Sequence, residues 1–396
     1  MEHKPLELYI HIPFCVKKCQ YCDFLSFGIH DLGVREQMGC SNMDQPVPDE
    51  YIDALCLEME WYSQQQDFKQ RPVVSIFFGG GTPSLMSEMQ MEKVMSAIRT
   101  YFSLQDEAEI TMEANPGTVT LEKLQMARQL GVNRLSMGLQ STNANELKLL
   151  GRIHTYEDFL QSYLWAREAG FKNINVDLIT AVPDQTENSY ERSLEQIIAL
   201  EPEHISAYSL IIEPGTPFEI LEEEGKLSLP DEEEERRMYR LTQELLEKHG
   251  YERYEISNYA KPGFECKHNI GYWKRKDYLG LGLGAASLIG NQRFTNTTDM
   301  SIYIEGIHSE KTWYSHRECL DIQSEMEEFM FLGLRMISGV SADEFEEIFG
   351  QNIMSVYGDV IKKHVDNGLL KCGHRKICLT NAGLDLANQV MSDFLL

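Results

Sequence analysis

The sequence predicts an α/β protein built from repeated β-α units. Two observations carry this: six short apolar, strand-like runs fall between residues 6 and 211, and helical patterns separate them, several ending at Gly or Pro. The order is "LELYIHI" from Leu6, a helix through "PDEYIDALCLEMEWYSQ" from Pro48, and "VVSIFF" from Val73. A helix through "SEMQMEKVMSAIRTYF" from Ser87 leads to "EITME" from Glu109, and "TLEKLQMARQLG" from Thr120 leads to "RLSMGL" from Arg134. "YEDFLQSYLWAREAG" from Tyr156 precedes "NINVDLI" from Asn173, and "NSYERSLEQIIAL" from Asn188 precedes "HISAYSLI" from His204. Strands separated by single helices pair in parallel, so six such units make either an open doubly wound sheet or a partial barrel.

The rest divides into smaller parts. At 396 residues the chain exceeds one ordinary core, and the reading sets a first domain at 1–235, a middle α+β region at 236–315 and a C-terminal module at 316–396. "GIHDLGVREQMGCSNMDQPVP" from Gly28 has turn residues and no periodicity, as a surface loop does. The C-terminal module shows a helix through "SEMEEFMFLGLRMI", a capping box of Ser341 and Glu344, a further helix, then two short strands and a last helix. That order resembles a winged helix, but without a Lys/Arg stripe it suits packing better than DNA.

Composition excludes several classes. Net charge is −26, with acidic runs between Glu219 and Arg237 that fit a solvated helix face and repel nucleic acid and anionic lipid. No apolar run reaches the roughly 18 residues of a membrane span, and the N-terminus lacks signal-peptide features, so a cytoplasmic protein is expected. Nine cysteines, six of them scattered, argue against a disulfide framework.

Three cysteines are not scattered. Cys15, Cys19 and Cys22 follow a C-x3-C-x2-C spacing directly after the first strand, where parallel α/β folds display functional groups. Thiolates this close converge on a metal centre. A zinc site wants a fourth ligand, for which His11 is near; an iron-sulfur cluster held by only three cysteines keeps one iron open to a small molecule.

With "GGGTPS" at Gly79 to Ser84 after the second strand, the chain resembles the radical S-adenosylmethionine superfamily. The resemblance implies a partial (β/α)6 TIM-like barrel in which the three thiolates hold a 4Fe-4S cluster and S-adenosylmethionine chelates the open iron. Tyr21, just before the last cysteine, fits the family's aromatic at that place, and the glycines let backbone approach the ligand. Further polar residues follow at strand ends: Glu113 in "MEANPGT", Gln140 in "RLSMGLQS", Arg152 in "LGRIHT" and Asp177 in "NVDLITAVP". With Tyr9, Gly80, Gly81, Thr82 and Ala207 they match S-adenosylmethionine-binding positions of the coproporphyrinogen III oxidase-like branch.

Within that branch the chain is similar to the heme-chaperone group. The oxidase carries a fourth cysteine two places after the third, where Phe24 stands here, and a long N-terminal extension, whereas fourteen residues precede Cys15. "HNIGYW" at His268 to Trp273 matches the chaperone group's H-N-x-x-Y-W signature, whose histidine is implicated in heme binding. Lys261, Lys267, Lys274, Arg275 and Lys276 make this segment locally basic and suited to propionates, while Cys266 reads as an inert buried thiol. The resemblance implies three cofactors (4Fe-4S cluster, S-adenosylmethionine, heme), a heme-acceptor protein and an electron donor. It leaves open the oxygen-independent oxidase or another radical enzyme, and names no catalytic residue.

Overall fold

Six parallel strands stand side by side in chain order: β1 Leu6–Ile12, β2 Pro72–Gly80, β3 Ser103–Ala114, β4 Arg134–Gln140, β5 Ile174–Thr180 and β6 His204–Ser209. The structure is a computed structural model that describes residues 3–29, 45–65, 68–309 and 313–396. Most of the expected surface loop, with Cys40, therefore lies outside the described residues.

The crossover helices begin where the sequence supplies caps. Ser87, Thr120, Thr155 and Thr186 each accept a backbone N–H three residues on, which starts the helices Glu88–Tyr101, Leu121–Gln129, Tyr156–Glu168 and Glu187–Ile198. Strand alternation then sorts the two faces. On β1, Leu6, Leu8, Ile10 and Ile12 are fully buried in one core with Tyr51, Val94, Leu124, Phe159 and Leu194 of the helices. Glu7, Tyr9 and His11 point the other way, towards an interior of polar and aromatic groups. Helices cover one face and polar side chains fill the other, so the sheet is a partial barrel and not a doubly wound layer.

The segment 236–319 extends the same sheet at both edges, its last strand running four residues past the expected boundary at 315. Tyr278–Leu281 pairs in parallel with β1 and is followed outward by three antiparallel strands, Ala286–Ile289, Gln292–Asn296 and Tyr314–Cys319. At the far edge Asn258–Ala260 runs antiparallel to β6, with Glu252–Arg253 beyond it. A seventh parallel strand thus joins the six read from the sequence.

The C-terminal module keeps a separate core, in which Met330, Phe345, Tyr357, Ile361, Val390 and Phe394 pack together beside a three-stranded sheet. Ser341 accepts the Glu344 N–H at 3.3 Å, but Glu344 returns no bond. Ser341 already pairs with Lys376 in that sheet, so half of the expected capping box forms. The module is tied to the barrel base by Ile256 N–H to Arg335 C=O (3.1 Å), Ile337 N–H to Tyr254 C=O (3.0 Å) and the Arg275–Glu328 ion pair (2.8 Å). Among the described residues no helix is long and apolar enough to cross a membrane.

Candidate functional site

The loop after β1 carries the three cysteines and is fastened at its base. Phe14–Cys15 and Phe27–Gly28 form a short parallel pair that closes it. The His11 ring lies beneath: Nδ1 meets Tyr9 OH and Nε2 meets the Leu25 carbonyl, both at 2.9 Å. With both nitrogens engaged, His11 supports the loop and does not complete a zinc site. The loop docks on its far side through Gln20, whose N–H reaches Leu150 C=O and whose C=O accepts from Phe218 N–H, each at 3.1 Å.

Cys15, Cys19 and Cys22 border a cavity of about 400 Å³ at the C-terminal ends of the strands. Tyr21, Gly80, Gly81 and Thr82 line it, as do Glu113, Gln140, Arg152 and Asp177. The structure therefore brings eleven of the fourteen candidate residues to one place. Gly81 is required there by packing: its N–H bonds Ile12 C=O at 2.9 Å, and a Cβ would stand 2.7 Å from the Phe14 carbonyl oxygen. Gly80 adopts φ of +111° and donates its N–H to Glu113 Oε2 at 3.2 Å. Gln140, with φ of +75°, holds a left-handed backbone at the end of β4, a form of strain that collects at functional sites.

Donors are aimed at two of the sulfurs. Thr82 Oγ1 lies 3.6 Å from Cys15 Sγ, and Arg152 Nη1 lies 3.4 Å from Cys19 Sγ. The guanidinium is fixed by 2.6 Å bonds from Nη2 to Asn115 Oδ1 and to the Gly138 carbonyl, and Asn115 Nδ2 in turn donates to Thr82 Oγ1 at 2.8 Å. Burial pushes the Cys22 thiol up to about 11. Burial and the neighbouring Asp177 raise Glu113 to about 8, and Asp177 is itself raised by burial against bonds from Asn175, Ser206 and Ser136. Arg152 Nε is buried without a partner among the described residues. Three sulfurs with cationic and hydroxyl donors, next to the two buried carboxyls in a polar cavity, form a donor set that fits an iron-sulfur centre and an amino-acid ligand.

Three candidates lie elsewhere. Tyr9 sits below the cavity against Phe77, and Ala207 is bound through its N–H to Ser257 C=O at 2.9 Å, off the cavity wall. His268 belongs to the helix Lys267–Trp273, which closes the opposite end of the barrel. It is 1% exposed, its Nδ1 meets Ser75 Oγ at 2.9 Å and its Nε2 meets Tyr272 OH at 3.0 Å. Glu109 of β3 caps this helix by accepting Lys267 N–H (3.1 Å) and His268 N–H (3.2 Å). Glu7 lies 3.7 Å from His268, yet burial raises Glu7 to about 8 and lowers His268 to about 3, so the contact joins two neutral groups at pH 7. Cys266 is fully buried, its thiol pushed to about 12, and of the basic stretch Arg275 is spent on Glu325 and Glu328. Sequence reasoning passed over Asn115, Gly138 and His154 on the cavity wall.

Comparison with known proteins identifies the family. Residues 9–197 match the Radical SAM superfamily, and residues 320–386 match the HemN C-terminal domain. The chain is 39% identical to the heme chaperone HemW of Bacillus subtilis over 98% of both chains. It is 37% identical to the HemW of Lactococcus lactis, covering 100% of this chain and 99% of that one. Among solved structures, coproporphyrinogen III oxidase (HemN) from Escherichia coli superposes with a TM-score of 0.84 at 24% identity, over 100% of this chain and 91% of that one, a likeness of fold.

Proposed function

The chain belongs to the HemW family of radical S-adenosylmethionine proteins, and on that premise we propose that it binds heme and delivers it to an acceptor protein. Cys15, Cys19 and Cys22 hold the 4Fe-4S cluster in this reading. Glu113, Gln140, Arg152 and Asp177, with Tyr21 and the backbone at Gly80 to Thr82, receive S-adenosylmethionine beside it. The cluster, when bound, supplies one-electron chemistry at the ligand's sulfonium. The observation that carries the reading is the meeting of three thiols, Arg152 and Glu113 around one open cavity.

The chain's own groups have defined tasks there. Arg152 donates to the Cys19 sulfur and Thr82 to the Cys15 sulfur, which orients both towards the cluster. Glu113, raised to about 8 by burial, offers a carboxyl that ionises against an incoming ammonium group. Tyr9 and Ala207 support the wall from behind, and an electron donor reduces the cluster from outside. Heme binding at His268 requires this helix to release the bonds to Ser75 and Tyr272. Phe24 occupies the position of the oxidase's fourth cysteine, which favours carriage over decarboxylation.

The test is an anaerobic heme titration of the cluster-reconstituted chain, with coproporphyrinogen III turnover assayed alongside. Saturation near one heme per chain without turnover supports the carrier. Absence of saturable heme binding, or decarboxylation of coproporphyrinogen III, refutes it.

A further inference from the structure

The stretch "EANPGT", Glu113 to Thr118, reads as a turn whose Asn115 side chain bonds its own backbone. The structure gives that task to other groups. The Asn115 carbonyl closes the turn by accepting the Thr118 N–H at 3.1 Å and the Thr118 hydroxyl at 2.6 Å, and Thr118 Oγ1 lies 2.7 Å from Ser84 Oγ. Gly117, with φ of +80°, supplies the left-handed residue of the turn. The Asn115 side chain is thereby released from its own turn and stands in the cavity wall between Arg152 and Thr82.

The direction of each bond follows from what each group is able to do. A guanidinium only donates, so Arg152 Nη2, at 2.6 Å, fixes which end of the amide is Oδ1. The other end, Nδ2, then donates to Thr82 Oγ1 at 2.8 Å. A hydroxyl that accepts there keeps its own proton for another partner, and Cys15 Sγ lies 3.6 Å away. On the same guanidinium, Arg152 Nη1 lies 3.4 Å from Cys19 Sγ. One amide therefore aims donors at two of the three sulfurs, each through another residue. Gly138 keeps the space for this arrangement, since a Cβ there would stand 3.1 Å from Asn115 Oδ1 and 3.4 Å from Arg152 Nη2.

Hydrogen bonds to the sulfurs help to set an iron-sulfur cluster's reduction potential: they favour the more negative, reduced state and so raise it. We propose that Asn115 is a positioning residue that holds this potential up, by orienting Arg152 towards Cys19 and the Thr82 hydroxyl towards Cys15. Asparagine suits the place because its short side chain presents an acceptor and a donor together. The step affected is the entry of one electron from the external donor. This rests on the reading that Cys15, Cys19 and Cys22 hold a 4Fe-4S cluster, and it gives control of that electron to a residue outside the expected binding set.

The experiment reconstitutes the full chain anaerobically, counts its iron and sulfide, and measures the cluster's midpoint potential by spectroelectrochemical titration without S-adenosylmethionine. Electron paramagnetic resonance of the reduced samples confirms the cluster type. Wild type, Asn115→Leu, Asn115→Ala, Thr82→Val and the double variant Asn115→Leu/Thr82→Val are compared. The expected result is that Asn115→Leu keeps its iron and shifts the midpoint to a lower potential, while Thr82→Val, which loses only the Cys15 donor, shifts it by less. The double variant shifts no further than Asn115→Leu alone, as a shared route requires. An unshifted midpoint in Asn115→Leu at full iron overturns the proposal, and so do single shifts that simply add. Where Asn115→Leu takes up no cluster, Asn115→Ala, which adds no bulk, is read by the same criterion. Loss of iron from both overturns the proposal too, because the residue then serves assembly and not potential. Failure of the wild type to take up a cluster overturns the cluster reading itself, and this proposal with it.

Discussion

Replacing Glu7 by Gln tests whether the end of the barrel closed by the H-N-x-x-Y-W helix is electrically neutral. Glu7 is 1% exposed and its Oε2 has no partner among the described residues. Gly271 of that helix makes room for it, since a Cβ there would collide with the carboxylate. Burial, opposed by Lys276 and reinforced by Glu109, moves the carboxyl from 4.5 to about 8. A raised folded value means that the unfolded chain gives up this proton first. Stability from the group is complete below pH 4.5 and is lost as pH rises through about 8. At about 1.4 kcal/mol per pH unit the loss totals about 5 kcal/mol, of which about 3 kcal/mol is gone by neutral pH. Gln cannot titrate, so the stability of wild type relative to Glu7→Gln should fall by about 5 kcal/mol between about pH 4 and about pH 9. Urea denaturation of the reduced, metal-free chains at matched pH measures this, and other titrating groups cancel in the difference. A difference that stays flat across the range refutes the buried neutral carboxyl. So does the absence, in wild type at neutral pH, of an infrared carboxylic-acid band that Glu7→Gln removes.

The same logic gives smaller tests. Cys19→Ala should strip most cluster iron from the reconstituted protein, and full iron with unchanged cluster absorbance would contradict the three-thiol assignment. Gly271→Ala should destabilise the barrel by about 1 to 3 kcal/mol in urea, because the added methyl group drives the helix away from Glu7; combined with Glu7→Ala, most of that loss should return. Arg275→Ala leaves Glu328, whose side chain is 8% exposed, without the cation that bonds it at 2.8 Å. A cost of about 3 kcal/mol should appear in the C-terminal transition by calorimetry, and an unchanged transition would show that Arg293 alone neutralises Glu328.

How much of this was legible in the sequence follows from the range of the interactions involved. The six central strands and their helices are written locally, in apolar runs and in caps such as Ser87 and Thr186. The seventh parallel strand is not: "YLGL" at Tyr278 is four residues inside a glycine-rich stretch, and its partner β1 lies some 270 positions earlier. The cysteine loop was legible because its three sulfurs are close in sequence. Glu113, Arg152 and Asp177 were legible as polar residues at strand ends once a resemblance singled them out. Asn115 and Gly138 were not, since their part is to hold Arg152, one through a side-chain oxygen and the other through a backbone carbonyl, and no spacing encodes that.

The two histidines show the limit most sharply. His268 stands in a six-residue motif and His154 in a short stretch read for its arginine, so a sequence ranks the first above the second. The fold ranks them by coordination. The inward alternation of β1, β2 and β3 presents Glu7, Ser75 and Glu109 to one helix, and they turn its histidine into a doubly bonded part of a sealed wall. The end of β4 offers His154 a single carbonyl, from Leu139, and places the residue in the cavity wall. A motif identifies which residues matter to a family, but whether an imidazole has a lone pair to give depends on what the neighbouring strands have already bonded to it.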